Sequence, residues 1–193
     1  MRNSATPTRV AIAIVAAIAA AVSLGGCVQA SREVIPTSDP SVKPVFASNA
    51  EALAAAEKAY AAYLSVSDQI LIDGGANPQR LLSVAKPAEY RTQLSGFLQE
   101  SSNHWRSTGK TVIDEIELQG YSPQARNGVG IVTVYACLDV SQVDVINSAG
   151  VSVVSSTRPN RSAFQAAFDL ATKHSSKLIL ASETPWQGAE ICS

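Results

Sequence analysis

Ser107-Thr108-Gly109-Lys110-Thr111 is the run whose residue types come closest to a ready-made chemistry, because Gly-Lys-Thr ends the loop that cradles nucleotide phosphates. The full pattern needs a second glycine five residues before Gly109, where this chain has His104. It also needs strand then helix, whereas the flanking periodicity runs from helix into strand, so a phosphate loop is excluded. Gly128-x-Gly130 lacks the third glycine of a dinucleotide site and opens a strand, which predicts a turn or bulge. Asp114, Glu115 and Glu117 could pair for acid–base work or calcium. On a strand, however, Glu115 and Glu117 share one face, and a solvated face accounts for them. No Gly-x-Ser-x-Gly turn accompanies the many serines, and nothing favours a Ser-His-Asp triad. The two histidines, His104 and His174, have neither His-x-x-x-His spacing nor a Cys-x-x-Cys beside them, so no metal or other cofactor is expected. Asn160-Arg161-Ser162 matches a glycosylation acceptor, for which a turn is the simpler reading.

The elements that would position these groups occupy only part of the 193 residues, of which 46% are hydrophobic, 16% charged and 6% aromatic. Fifteen Lys and Arg against 16 Asp and Glu leave a formal charge of −1, which offers no polybasic face for nucleic acid. Much of the apolar excess lies at the start: Arg2 and Arg9 precede the uncharged run Val10 to Leu24, too short to span a bilayer but suited to a secretory signal. The run ends in Leu24-Gly25-Gly26-Cys27, which resembles the lipobox of bacterial lipoproteins. The resemblance implies removal of residues 1–26 and acylation of Cys27, with palmitate-type chains anchoring the protein to the extracytoplasmic side of the cell membrane. Only Cys offers a thiolate for the thioether, and small residues fit a narrow protease site. The alternatives are an uncleaved anchor helix and an ordinary secretory signal whose Cys happens to follow small residues. Residues 28–47, with Pro36, Pro40 and Pro44 among Ser and Thr, read as a tether, and loss of the leader leaves a mildly acidic chain.

With Cys27 assigned to lipid, Cys137 and Cys192 remain. An even pair in an exported protein predicts a disulfide, two buried free thiols being the alternative. The folded part, residues 48–193, begins with a capping box at Ser48 and Glu51. A long helix follows, with Leu53, Ala56, Tyr60, Tyr63, Leu64, Ile70 and Leu71 on one face, stopping at Asp73-Gly74-Gly75. A short helix from Asn77-Pro78 to about Val84 and a third from Pro87 to near Thr108-Gly109 come next, the third burying Tyr90, Leu94, Phe97, Leu98 and Trp105. The period then becomes two, predicting strands over 111–119, 128–140, 162–172 and 177–183. Helices followed by an antiparallel meander make an α+β fold of about three helices on a roughly four-stranded sheet.

That order resembles the nuclear transport factor two-like fold, a cystatin-like cone of curved sheet around a helix, and in detail small exported lipoproteins of actinobacterial type. The likeness is carried by Tyr90-Arg91, His104-Trp105-Arg106-Ser107-Thr108-Gly109, Val134 to Asp139, Val143-Asp144-Val145, Arg158-Pro159-Asn160-Arg161 and Cys192. It implies a fold, a disulfide and an envelope location, with no assigned activity. The expected function is non-catalytic binding of an envelope protein or a small apolar ligand, by a packed cone or an apolar cavity free of convergent charge. Tyr60, Tyr63 and Trp105 are the pocket candidates. Because relatives of this fold include isomerases and hydrolases, the alternative is an enzyme using the cone cavity, with Asp139, His104 and Tyr135 as its groups and Asp144 also available. Such chemistry needs a carboxylate or His buried in the cavity with a hydrogen-bond donor in reach, and a Tyr or acid to stabilise an oxyanion; finding the buried pair would overturn the binding reading.

Overall fold

The structure, a computed structural model, describes residues 44–123, 130–173 and 175–192. The expected leader, Cys27, the tether as far as residue 43, Gly128 and His174 lie outside the described residues. Helix α1 (Asn49–Ile72) starts as the sequence predicts: the Ser48 side chain accepts from the Glu51 backbone N–H at 3.2 Å, while Glu51 Oε2 accepts from the Ala47 N–H at 2.8 Å. Gly74 and Gly75 end it with positive φ, and a Cβ on Gly75 would collide with the Phe97 carbonyl, so the glycine lets α1 approach the next helix. A 3₁₀ helix (Pro78–Ser83) and helix α2 (Pro87–Asn103) follow.

Helix α2 stops short of the Thr108-Gly109 end that its periodicity predicts. His104 adopts the left-handed conformation (φ 53°), with its N–H turned to the carbonyls of Glu100 and Ser101, and the chain leaves as a strand. That strand, β1 (Arg106–Thr108), pairs antiparallel with β4 (Asp144–Ile146) in a two-stranded ribbon that sequence periodicity does not reveal. Three residues are too few to display a period. Gly109 belongs to this junction, not to a phosphate loop: a Cβ there would collide with the Gln142 carbonyl oxygen.

The main sheet contains β2 (Val112–Tyr121), β3 (Val132–Asp139), β5 (Arg161–Leu170) and β6 (Leu178–Pro185), all neighbours antiparallel in the order β2-β3-β5-β6. Val132, Val134, Ala136 and Leu138 of β3 form one buried face, as their alternation predicts, and join Ala166 and Phe168 of β5. Against this face α1 lays Ala56, Tyr60 and Tyr63, and the Tyr60 ring meets Phe168 edge-on at 5.7 Å. Helices on one face of an antiparallel sheet make the α+β architecture. Phe46 is only 4% exposed and exchanges backbone hydrogen bonds with the Tyr121 hydroxyl at 2.8 and 3.0 Å, so the end of the expected tether is part of the domain.

The opposite sheet face is fastened by the Cys137–Cys192 disulfide, with Cα atoms 5.2 Å apart and a sequence separation of 55. In the chain-entropy model a loop of this length contributes about 4 kcal/mol. Glu115 and Glu117 pair with Cys137 and Tyr135 on that face and are exposed, while Asp114, at a bulge, forms an ion pair with Arg161.

Candidate functional site

A buried acid cluster lies where α1, α2 and β6 meet. Pro87 opens α2, and Glu89 in its first turn sits where the helix dipole favours negative charge. Glu89, Gln93, Phe97 and Glu100 recur at helical spacing, so the face that enters the core carries acids as well as a phenyl ring. Glu89 is 3% exposed, and its carboxylate accepts from Gln93 Nε2 at 2.7 Å, from the Tyr63 hydroxyl at 3.4 Å and from the Glu183 backbone N–H at 3.1 Å. These donors replace the water that burial removes.

Glu183 reaches the same place through a register shift. Leu178 and Leu180 of β6 face the core, and strict alternation would then point Ser182 inward and Glu183 outward. Phe168 pairs with Leu180 but Ala167 pairs with Ser182, which leaves Ala181 as an extra residue. That bulge reverses the parity, and Glu183 pairs with the core residue Ala166. The Tyr60 hydroxyl donates to Glu183 Oε1. The other oxygen receives no hydrogen bond from the described residues, and the side chain lines an open groove.

Burial pushes the Glu183 carboxyl up to about 7; the Tyr60 hydrogen bond opposes this and the negative charge of Glu89 adds to it. Both tyrosine hydroxyls are driven far above their ordinary range, first by burial and then by the charge of Glu183. Glu183 therefore exchanges a proton near neutral pH while its tyrosine neighbours stay neutral. As an acid it can donate a hydrogen bond into the groove, and as a carboxylate it can accept one or take a proton.

The groove has two lobes that meet at Ser67, Leu71, Gln93 and Arg158. One, of about 410 Å³, holds Tyr63, Leu64, Leu138, Phe164 and Glu183. The other, of about 480 Å³, is walled by Phe97, Trp105, Val145, Val153 and Val154. Each falls within the ~300–1,000 Å³ typical of small-molecule sites. Glu100 also borders the second lobe. Its Oε1 accepts from the Ser107 hydroxyl at 3.1 Å, its Oε2 is buried without a partner among the described residues, and burial raises its pKa.

Of the expected pocket residues, Tyr63 and Trp105 line separate lobes, and Tyr60 lies beneath, its hydroxyl on Glu183. The catalytic candidates Asp139, His104 and Tyr135 do not come together. His104 is an exposed helix terminator. Tyr135 stacks on Trp186, at 4.5 Å between ring centroids, on the sheet face away from α1. Asp139 ends β3 at a turn, accepting from the Ser141 N–H at 2.7 Å, a bond that lowers its pKa. Asp144 is tied to the Ser152 hydroxyl at 2.6 Å.

The expectation of an interior without convergent charge fails at Glu183 and Glu89. Neither entered the sequence reading: Glu89 reads as an ordinary first-turn acid, and only the i, i+4, i+8, i+11 stripe through Phe97 hints at its burial. Glu183 has no signal, because a bulge changes parity without a marker residue. Among the described residues no group of three His, Cys, Asp or Glu could hold a metal. Neither a protein-family model nor a curated protein matches this chain.

Proposed function

We propose that this chain is a cell-envelope lipoprotein, anchored through acylated Cys27, whose nuclear transport factor two-like domain binds a small, largely apolar molecule in the two-lobed groove. The observation that carries the binding reading is Glu183, an acid with one oxygen unclaimed by the described residues, set among apolar side chains in the groove. The Leu24-Gly25-Gly26-Cys27 run supports the anchor, the Cys137–Cys192 disulfide suits an oxidising compartment, and helices packed on one face of a four-stranded antiparallel sheet suit the fold. The groove favours a small molecule over a flat protein contact.

Proton-transfer chemistry of isomerase or hydrolase type is the second reading, and the Tyr60–Glu183 pair favours it by meeting the condition of a cavity carboxylate with a donor in reach. No tyrosine is free to stabilise an oxyanion, since the Tyr60 and Tyr63 hydroxyls both donate to carboxylates and Gln93 donates to Glu89, which leaves Arg158 as the charged donor available in the groove. The pair is the feature expected to overturn binding; we place binding first only because neither tyrosine is free for an oxyanion.

The test has two arms. Native mass spectrometry of the lipoprotein released from its own envelope should show a copurifying small molecule, absent when Ser67→Trp fills the junction of the lobes. Cys27→Ala should release the protein from the membrane fraction. A ligand-free protein, or a ligand retained by the plugged variant, contradicts binding in this groove; a Cys27→Ala protein that stays in the membrane contradicts the anchor.

A further inference from the structure

Arg158 stands where the two lobes join, and its charge is unmatched. Its Nη2 donates to the carbonyls of Val140 and Val143 at 3.0 and 2.6 Å, which fixes the guanidinium beside the groove while leaving its Nε and Nη1 hydrogens without an acceptor among the described residues. The side chain is half-buried. Three acids among the described residues border the groove, and none forms an ion pair with Arg158: Asp68 holds the Thr111 N–H and hydroxyl, while Glu100 and Glu183 each hold one hydroxyl, of Ser107 and Tyr60. Among the described residues the ion pairs are Arg80–Asp73 and Arg161–Asp114, and neither involves Arg158. A half-buried guanidinium that borders a largely apolar groove and has no ion-pair partner among the described residues is complementary to an anion carried on an apolar body.

We infer that the groove takes a fatty carboxylate, its head on the free Nε and Nη1 hydrogens of Arg158 and its tail along Leu71, Phe97, Trp105, Val145 and Val154. The inference rests on the groove being the binding site, and it names the class of ligand. A single charge is favoured over a phosphate dianion because Arg158 is the one cation among the described residues that line either lobe. An apolar tail suits the Trp105 lobe because Phe97, Trp105, Val145, Val153 and Val154 wall it, although the lobe is also bordered by Gln99, Glu100 and Ser155.

Trp105 gives a readout confined to the groove. The chain has two tryptophans, and Trp186 lies on the opposite sheet face, so Trp186→Phe leaves one reporter. The full chain with this change, held in phosphatidylcholine nanodiscs, is titrated with decanoate, decanol and decyl phosphate. Decanoate should shift Trp105 emission with an affinity about tenfold above decanol, as expected for a charge-assisted hydrogen bond. Arg158→Gln should erase that preference and Arg158→Lys should keep most of it. Should Arg158→Gln fail to fold for want of its loop contacts, the headgroup series on the unmutated Arg158 decides alone. Equal binding of decanoate and decanol, or preference for decyl phosphate, overturns the inference while leaving the groove a binding site. No response to any probe contradicts both.

Discussion

Replacing Glu183 by Gln should stabilise the protein at pH 8 and change it little at pH 5. The folded chain holds this carboxyl near 7, whereas an ordinary glutamate titrates near 4.5. As pH rises between those values the unfolded chain gives up its proton while the folded chain keeps it, so the raised pKa costs stability across that interval and the loss is complete above about pH 7. The gap corresponds to about 3 kcal/mol, and screening at a side chain that keeps contact with the groove reduces this toward ~2 kcal/mol. Gln is nearly isosteric, its amide oxygen still accepts the Tyr60 hydroxyl, and it cannot ionise. Urea unfolding at pH 5 and pH 8, with the disulfide intact, measures the effect. The wild type should lose about 1.5–2.5 kcal/mol more than Glu183→Gln on going from pH 5 to pH 8. A variant destabilised by the same amount at both values would refute the reasoning, since it would mean that Glu183 is held as an ionised partner of Tyr60.

Three other substitutions probe the frame around the site. Phe46→Ala should lower stability by about 3 kcal/mol in the same unfolding assay, because the ring is buried beside Tyr121 at 5.7 Å between centroids. Cys192→Ser should cost about 2–4 kcal/mol, and nonreducing peptide mapping of the wild type should recover Cys137 joined to Cys192. His104→Gly should raise stability by about 1 kcal/mol, because glycine adopts the left-handed helix end without strain. Ligand binding should survive that change.

What the sequence made legible were the features governed by local period and capping. Ser48 and Glu51 mark the start of α1, Asp73-Gly74-Gly75 its end, and the even-numbered residues of β3 its buried face. The disulfide followed from compartment and cysteine arithmetic. The boundary of α2 did not follow, since a histidine serves as the left-handed cap where glycine is the usual signal. The β1–β4 ribbon is too short for periodicity. The acid cluster was hidden for two physical reasons. Glu89 is buried because donors from α1, α2 and β6 converge on it, a tertiary property that no window of sequence contains. Glu183 is turned inward by one unpaired residue in β6, and its partner strand lies outside any local pattern. Tyr60 and Tyr63 were recognised by their helical spacing, yet it is their hydroxyl partners that make the site.

Glu183 is the acid that faces the groove beside Tyr60. Its carboxyl carbon, observed by ¹³C NMR in the full chain with Glu183→Gln as the assignment control, should titrate with a midpoint near 7, and the midpoint should move when an amphiphile fills the groove. A midpoint near 4.5, indifferent to every occupant, would contradict the account.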